Sequence, residues 1–249
     1  MRAVLRIRKE PFYRRAAFEQ GLQRVGFTLV EKAAPADSSD WLVIWNRQGA
    51  AEIEADEWER KGGTVIVCEN GYLQQVDKTM YAISVHGHNG SGWFPHDPGE
   101  DRFSALGYGL KPWRGLGHYQ LVCGQRGIGS REMKSPPGWA ERLDAKLRKQ
   151  GLPTRLRPHP GNFAPKTPLA DDLRGAAMCL IWSSAAGVRA LVEGVSVHYA
   201  APHWIASECT TDNRYEVLNR VAHGQWHHEE IATGEPFARI IANRSKAAW

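Results

Sequence analysis

Two serines, a histidine held between prolines and a glycine-rich turn carry the chemistry most readily read from this sequence. Ser183 and Ser184 stand between an apolar run (179–182) and a helix-prone stretch (185–193) that stops at Gly194, and a second apolar run (195–199) follows. Parallel strands joined by a crossover helix give this pattern. A serine at the N-cap presents free N–H groups, the positive end of a helix dipole and a hydroxyl to an anion. Residues 124–130 follow another apolar run, and their glycines allow backbone N–H groups to approach a phosphate. Gln125, Arg126, Gly127 and Ser130 are the candidate contacts there, although the turn lacks both the closing Lys-Ser/Thr of a P-loop and the spacing of a dinucleotide fingerprint. His159 lies in Arg-Pro-His-Pro-Gly, where the prolines restrict the backbone and fix the imidazole direction, so that it can hydrogen-bond a leaving phosphate or give it a proton. The expectation is that these groups meet around the phosphates of a nucleotide. The plainer reading of each is a capped helix, a surface turn and a loop histidine.

A second set lies earlier in the chain. Glu69 ends a buried run (64–68) and precedes Asn70-Gly71, where a carboxylate can serve as general base, with burial expected to raise its pKa. Its plainer reading is a turn cap. His86 and His88 are two apart, but no third ligand stands at a recognisable spacing, so no metal is assigned. The absence of an Asp-x-Asp pair argues against a divalent-metal nucleotide-sugar site. Trp93, Asp97, Trp113 and Arg114 fall in a loose stretch from 69 to 117, and a long irregular segment in a compact chain reads as a functional loop or linker.

The elements that must position these groups alternate strand and helix. Strands are expected at 4–7, 27–30, 41–45, 64–68, 81–85, 119–123, 154–157, 179–182 and 195–199, and helices at 11–26, 50–61, 139–150, 169–176, 185–193 and 214–222. That grammar predicts α/β architecture: two Rossmann-like parallel-sheet domains, 1–116 and 117–249, facing across a cleft. With 249 residues the chain can bury two cores, and 42% hydrophobic with 24% charged residues is a soluble globular composition. No apolar run approaches a membrane span and the N-terminus has no signal-peptide core, so a cytoplasmic protein is expected. Cys68, Cys123, Cys179 and Cys209 are dispersed, three of them in apolar runs, which fits reduced thiols rather than disulfides. The net charge of +5 favours anionic partners.

Taken in order, Glu69-Asn70-Gly71, the turn 124–130, His159-Pro160 and Ser183-Ser184 resemble the landmarks of GT-B glycosyltransferases, of the capsule-polysaccharide and sialyltransferase-like group. Residues 188–197 also resemble the element that closes a GT-B donor domain, with its acid displaced to Glu193 and Asn70 standing where the family's second acid would be. The resemblance implies a metal-independent transferase using a UDP- or CMP-sugar as co-substrate and no cofactor. It implies Glu69 as base, His159 assisting departure of the nucleotide, and Gln125, Arg126, Gly127, Ser130, Ser183, Ser184 and Glu193 around the donor. Asn70, His86, His88, Trp93, Asp97, Trp113 and Arg114 would face the acceptor. Phage enzymes that glycosylate hydroxymethylated DNA bases share the GT-B architecture, and such a base is the favoured acceptor, with Arg102 and Lys111 as further phosphate contacts. A capsule or lipopolysaccharide sugar is the alternative acceptor. A nucleotide-sugar epimerase and a non-catalytic nucleotide- or glycan-binding protein are the readings from other classes.

Overall fold

The computed structural model describes residues 1–73, 79–159, 161 and 167–243. In chain order its elements are β1 (Arg2–Leu5), α1 (Arg15–Arg24), β2 (Thr28–Val30), β3 (Trp41–Trp45), α2 (Ala50–Arg60), β4 (Thr64–Asn70), β5 (Met80–Val85), α3 (Arg102–Ala105), β6 (Tyr119–Cys123), α4 (Trp139–Lys149), β7 (Thr154–Arg157), α5 (Leu169–Arg174), β8 (Ala176–Ile181), α6 (Ala185–Val192), β9 (Ser196–Tyr199), α7 (Arg214–His223), β10 (Gln225–His227), α8 (His228–Thr233) and α9 (Glu235–Asn243). Two compact units result: residues 1–100 with 223–249, and residues 101–222. The sequence places the division at 116/117 and leaves the C-terminus in the second domain. The structure instead returns the C-terminal segment to the first unit, because β10 adds to its sheet and α8 packs on α1.

The first unit has a six-stranded sheet in the order β10-β5-β4-β3-β1-β2. β2, β1, β3 and β4 run parallel, whereas β5 is antiparallel to both β4 and β10, a departure from the expected all-parallel sheet. The cause is the short link between β4 and β5, which cannot hold the crossover that a parallel return requires. β3 reads as a continuous apolar run because both its faces are covered. Trp41 and Val43 join Phe18, Leu22, Ile231 and Phe237 from α1, α8 and α9, while Leu42 and Ile44 join Ala55 and Trp58 from α2.

Asp40, just ahead of β3, ties that strand to the start of β1. Its carboxylate accepts from the Arg2 backbone N–H at 2.9 Å, the Arg2 guanidinium at 2.5 Å and the Ala36 N–H at 2.9 Å. The Arg2 hydrogen bond, ahead of the backbone donors, draws the carboxyl down to a pKa of about 2. A depressed folded-state pKa stabilises the fold above the unfolded value and loses that contribution as pH falls through the folded one. Stability should therefore decline between about pH 4 and pH 2, by about 1–2 kcal/mol, since the exposed face of Arg2 screens the pair. Asp40→Asn should lose the same amount at neutral pH and flatten that part of the acid limb, as urea titrations at several pH values will show.

The second unit has a four-stranded, wholly parallel sheet, β7-β6-β8-β9. Val122 and Leu180 meet Ala140 of α4 on one side of it. β8–α6–β9 is the strand–helix–strand unit expected from residues 179–199. α6 packs back on the sheet so closely that a side chain at Gly187 would lie 2.5 Å from Ile181 and 2.8 Å from Trp204.

Candidate active site

β7, β6 and β8 are adjacent and parallel, so the turns that leave their C-terminal ends share one edge of the second unit. Gln125, in the turn after β6, joins the serine turn after β8. Its Oε1 accepts the Ser183 N–H at 2.6 Å, and its Nε2 donates to Ser183 Oγ at 3.4 Å. Ser183 is buried; Ser184 takes the N-cap position and its Oγ accepts the Ala186 N–H at 3.2 Å. The positive end of the α6 dipole thus opens onto this edge.

The turn after β7 completes the group. Gly124 donates its N–H to the Arg157 carbonyl at 2.8 Å, and a side chain at Gly124 would start 3.3 Å from the His159 backbone nitrogen. His159 Nδ1 accepts the Gly161 N–H at 2.8 Å, so the proton of the neutral ring sits on Nε2, a donor. Lost solvation and, after it, the charge of Arg126 lower the His159 pKa, keeping the ring neutral at pH 7. Arg126 is exposed and makes no ion pair among the described residues. Gly127 has φ +64°, a left-handed conformation suited to glycine, and the Ser130 carbonyl anchors the following turn by accepting from Met133 and Lys134, both at 3.0 Å. Pro160 lies outside the described residues.

Asp172 is a member of this region that the sequence reading missed. It is 3% exposed and accepts from Arg155 at 2.9 Å, from Arg157, and from Thr167 at 2.9 Å. Arg157 also donates to the Thr167 carbonyl at 2.8 Å. These bonds fasten the strand end that leads to His159 against α5. Arg155 and Arg157 are two apart on a strand and share a face, where one acid can meet both.

Three predicted residues do not join the edge. Glu193 lies at the opposite end of α6, about 12 Å along the helix axis, and pairs with Lys111 at 2.5 Å and with Arg189 at 3.9 Å. Trp113 donates Nε1–H to the Thr211 carbonyl at 3.2 Å and lies under the Arg214 guanidinium at 4.0 Å. Arg114 donates to the carbonyls of Leu173 and Arg174 at 2.5 and 2.7 Å. All three hold the segment following α3 in place within the second unit.

In the first unit Glu69 stands at the C-terminal end of β4, half-buried, and accepts a hydrogen bond from the Tyr72 hydroxyl. Tyr72 Oη accepts in turn from the Asn89 N–H at 2.8 Å. Burial and then the charge of Glu69 push the Tyr72 pKa up, so Tyr72 stays protonated as the donor to Glu69. Asn70 is exposed and faces Tyr81 in register. His88 is buried beside Asn89, and its Nδ1 has no hydrogen-bond partner among the described residues. His86, at φ +65°, turns away: its Nδ1 meets Glu59 of α2 at 2.6 Å, so the two histidines do not form a pair. Among the described residues no three His, Cys, Asp or Glu side chains gather as a metal site. Trp93 packs on the core beside Val85, and Asp97 accepts the Gly99 N–H at 2.9 Å in an exposed turn. Among the described residues no helix is long and apolar enough to cross a membrane.

No protein-family model matches this sequence, and no curated protein matches it. Solved structures do. A Thermosulfurimonas dismutans KpsC structure, a β-Kdo 2,7 transferase, superposes with a TM-score of 0.52 at 12% identity over 96% of this chain and 99% of that one. The KpsC β-Kdo 2,4 transferase of the same organism gives 0.55 at 13% identity over 89% of each chain. At that identity the likeness speaks for the fold, which is of the GT-B type: mixed α/β, with parallel-strand sheets in two units.

Proposed function

We propose that the protein is a glycosyltransferase that moves a sugar from a nucleotide sugar to a carbohydrate hydroxyl. The observation that carries this reading is the gathering of Gln125, Arg126, His159, Ser183 and the α6 N-terminus at one sheet edge. A departing nucleotide phosphate is an anion, and these groups are donors and positive charge already in place, which stabilises charge as it develops without a metal. His159 gives an Nε2–H to the phosphate; Ser183, Arg126 and the helix end take its remaining oxygens. In this reading Glu69 takes the proton of the attacking hydroxyl while the bond between sugar and phosphate breaks. The fold shared with two Kdo transferases supports Kdo as the first donor sugar to examine and a carbohydrate as acceptor.

A hydroxymethylated base in DNA fits less well. That acceptor needs aromatic rings and cations at hand for a flipped base and its phosphates. Trp113 and Arg114 are spent on backbone carbonyls, Lys111 on Glu193, and the buried Arg102 donates to the Ala222 carbonyl at 3.1 Å. The test is incubation with CMP- and UDP-activated sugars, Kdo included, and either Kdo-terminated oligosaccharide or hydroxymethylated DNA, read by mass spectrometry. Transfer to the oligosaccharide alone is expected; transfer to DNA alone would overturn the acceptor assignment. Ser183→Ala and His159→Ala should each weaken nucleotide binding about 10-fold, the loss of one hydrogen bond to a charged group. Unchanged affinity in both would remove the donor site.

A further inference from the structure

The loop between β1 and α1 in the first unit holds a cluster that neither the sequence motifs nor the proposed chemistry uses. It runs through Arg8, Lys9, a short 3-10 turn (Pro11–Tyr13) and Arg14. Most arginines around it are committed: Arg2 to Asp40, Arg6 to Glu54, Arg15 to Glu19 and Arg47 to Asp56 and Glu59. Arg8, Lys9 and Arg14 are exposed and have no carboxylate partner among the described residues. Unpaired like charges on one short loop repel each other, and an anion relieves that repulsion.

The loop is also held in shape. Arg15 donates to the carbonyls of Leu5 and Ile7 at 3.2 and 2.5 Å, and the Tyr81 hydroxyl donates to the Phe12 carbonyl at 2.8 Å. Arg14 adopts φ +48°, a left-handed conformation that costs a non-glycine residue of order 1 kcal/mol. It is kept there by Arg14 N–H to the Pro11 carbonyl and by Ala17 N–H to its own carbonyl, at 3.2 and 2.9 Å. The loop surrounds a pocket of about 460 Å³ lined by Lys9, Arg14 and Arg15, within the range of small-ligand sites. Two acids also line it, but Glu19 is taken by Arg15, which leaves Glu10 against Lys9 and Arg14, neither of them paired with a carboxylate among the described residues.

Aromatic rings lie along the same segment. Phe12, Tyr13 and Trp45 form an edge-to-face cluster, with centroids 4.9 Å apart for Tyr13–Trp45 and 6.2 Å for Phe12–Trp45, and the Arg8 guanidinium sits 5.7 Å above the Tyr13 ring. Phe12 is 40% exposed. Trp45 ends β3, and Tyr81 faces Asn70 in register, so the cluster belongs to the strand edge where Glu69 stands. Open α/β sheets bind ligands at that edge.

We infer that the β1–α1 loop is a binding site for an anionic sugar, in which Lys9 and Arg14, with Arg8, take a carboxylate or phosphate while the exposed ring of Phe12 and its neighbours Tyr13 and Trp45 take the apolar face of the pyranose. As an acceptor subsite it rests on the transferase reading. As a binding site it stands without it.

The experiment is direct binding by calorimetry and saturation-transfer NMR to the intact protein, with no donor present. The probes are the methyl glycoside of Kdo, its methyl ester, and glucose 6-phosphate. The glycoside should bind at least 10-fold more tightly than its ester, and the comparison with glucose 6-phosphate tells carboxylate from phosphate recognition. Lys9→Gln with Arg14→Gln should weaken the charged probes about 10-fold and leave the ester unchanged. Phe12→Ala should weaken acid and ester alike. Nucleotide binding, which belongs to the second unit, should be unaffected in all variants, and an unchanged melting temperature reports correct folding of the first. Equal affinity for acid and ester, or no response to the double substitution, would overturn the inference. Loss of transfer with these binding results intact would overturn the transferase reading instead. Should Arg14→Gln disturb the loop, Lys9→Gln with Arg8→Gln, at exposed positions, makes the same comparison.

Discussion

Glu69→Gln should reduce kcat for sugar transfer by a factor of about 10² to 10⁴ and leave nucleotide affinity unchanged. General-base catalysis contributes on that scale, and the amide keeps the shape of the carboxylate while losing its capacity to take a proton. The geometry singles out Glu69 rather than its neighbours. Tyr72 is held neutral by burial and by the adjacent carboxylate, and its hydroxyl donates a hydrogen bond to Glu69. Asn70 cannot act as a base, and His86 is committed to Glu59. Rapid-quench measurement of a single turnover separates the chemical step from product release. A rate within 3-fold of the parent would remove Glu69 from the mechanism.

Gly21→Ala should destabilise the fold by about 3 kcal/mol or more, lowering the melting temperature by about 10 °C. The sign is opposite to the usual rule, under which alanine within a helix gains about 1 kcal/mol over glycine. At Gly21 a β-carbon would fall 1.9 Å from the Ile231 carbonyl oxygen and 3.0 Å from the Phe237 ring. The first obstacle is backbone of α8, so relief requires α1 and α8 to separate, and the core around Phe18, Leu22, Ile231 and Phe237 opens with them. Gly115→Ala, where nothing lies within 4 Å and φ is ordinary, should be close to neutral. Thermal scans of both variants test the comparison. A Gly21→Ala protein as stable as its parent would mean that the C-terminal segment does not pack on α1 as described.

What the chain states about itself is mostly local. β3 falls on residues 41–45 as expected, because residues covered on both faces must be apolar in succession; β6 and β7 also fall on 119–123 and 154–157, as expected. A serine cap on α6, Ser183 or Ser184, was equally legible, since a cap bonds within its own first turn, and the structure gives the place to Ser184. The turns after β6, β7 and β8 share an edge because those strands are adjacent and parallel, an order that the tertiary structure supplies.

What the sequence could not say depends on partners far along the chain. β10 is three residues long, too brief for a periodic signal, and becomes a strand only because Gln225, Trp226 and His227 pair with Ala82, Tyr81 and Met80. Residues 227–229 read as a solvated turn or helix face, whereas His227 caps α8 and Glu230 answers from three residues on. Trp113, Arg114 and Lys111 have the composition of a ligand-binding loop, yet distant carbonyls and Glu193 had already claimed their polar groups. In Asp172, Arg155 and Arg157 the reverse holds: charged residues that no motif marks are gathered on one buried carboxylate, Asp172. The pattern of apolar residues determines which segments are strands and helices, because burial acts on each residue where it stands. Which polar groups remain free to do chemistry was decided only by the tertiary fold, because a donor or acceptor is satisfied by whatever the folded chain brings within about 3 Å, however remote in sequence.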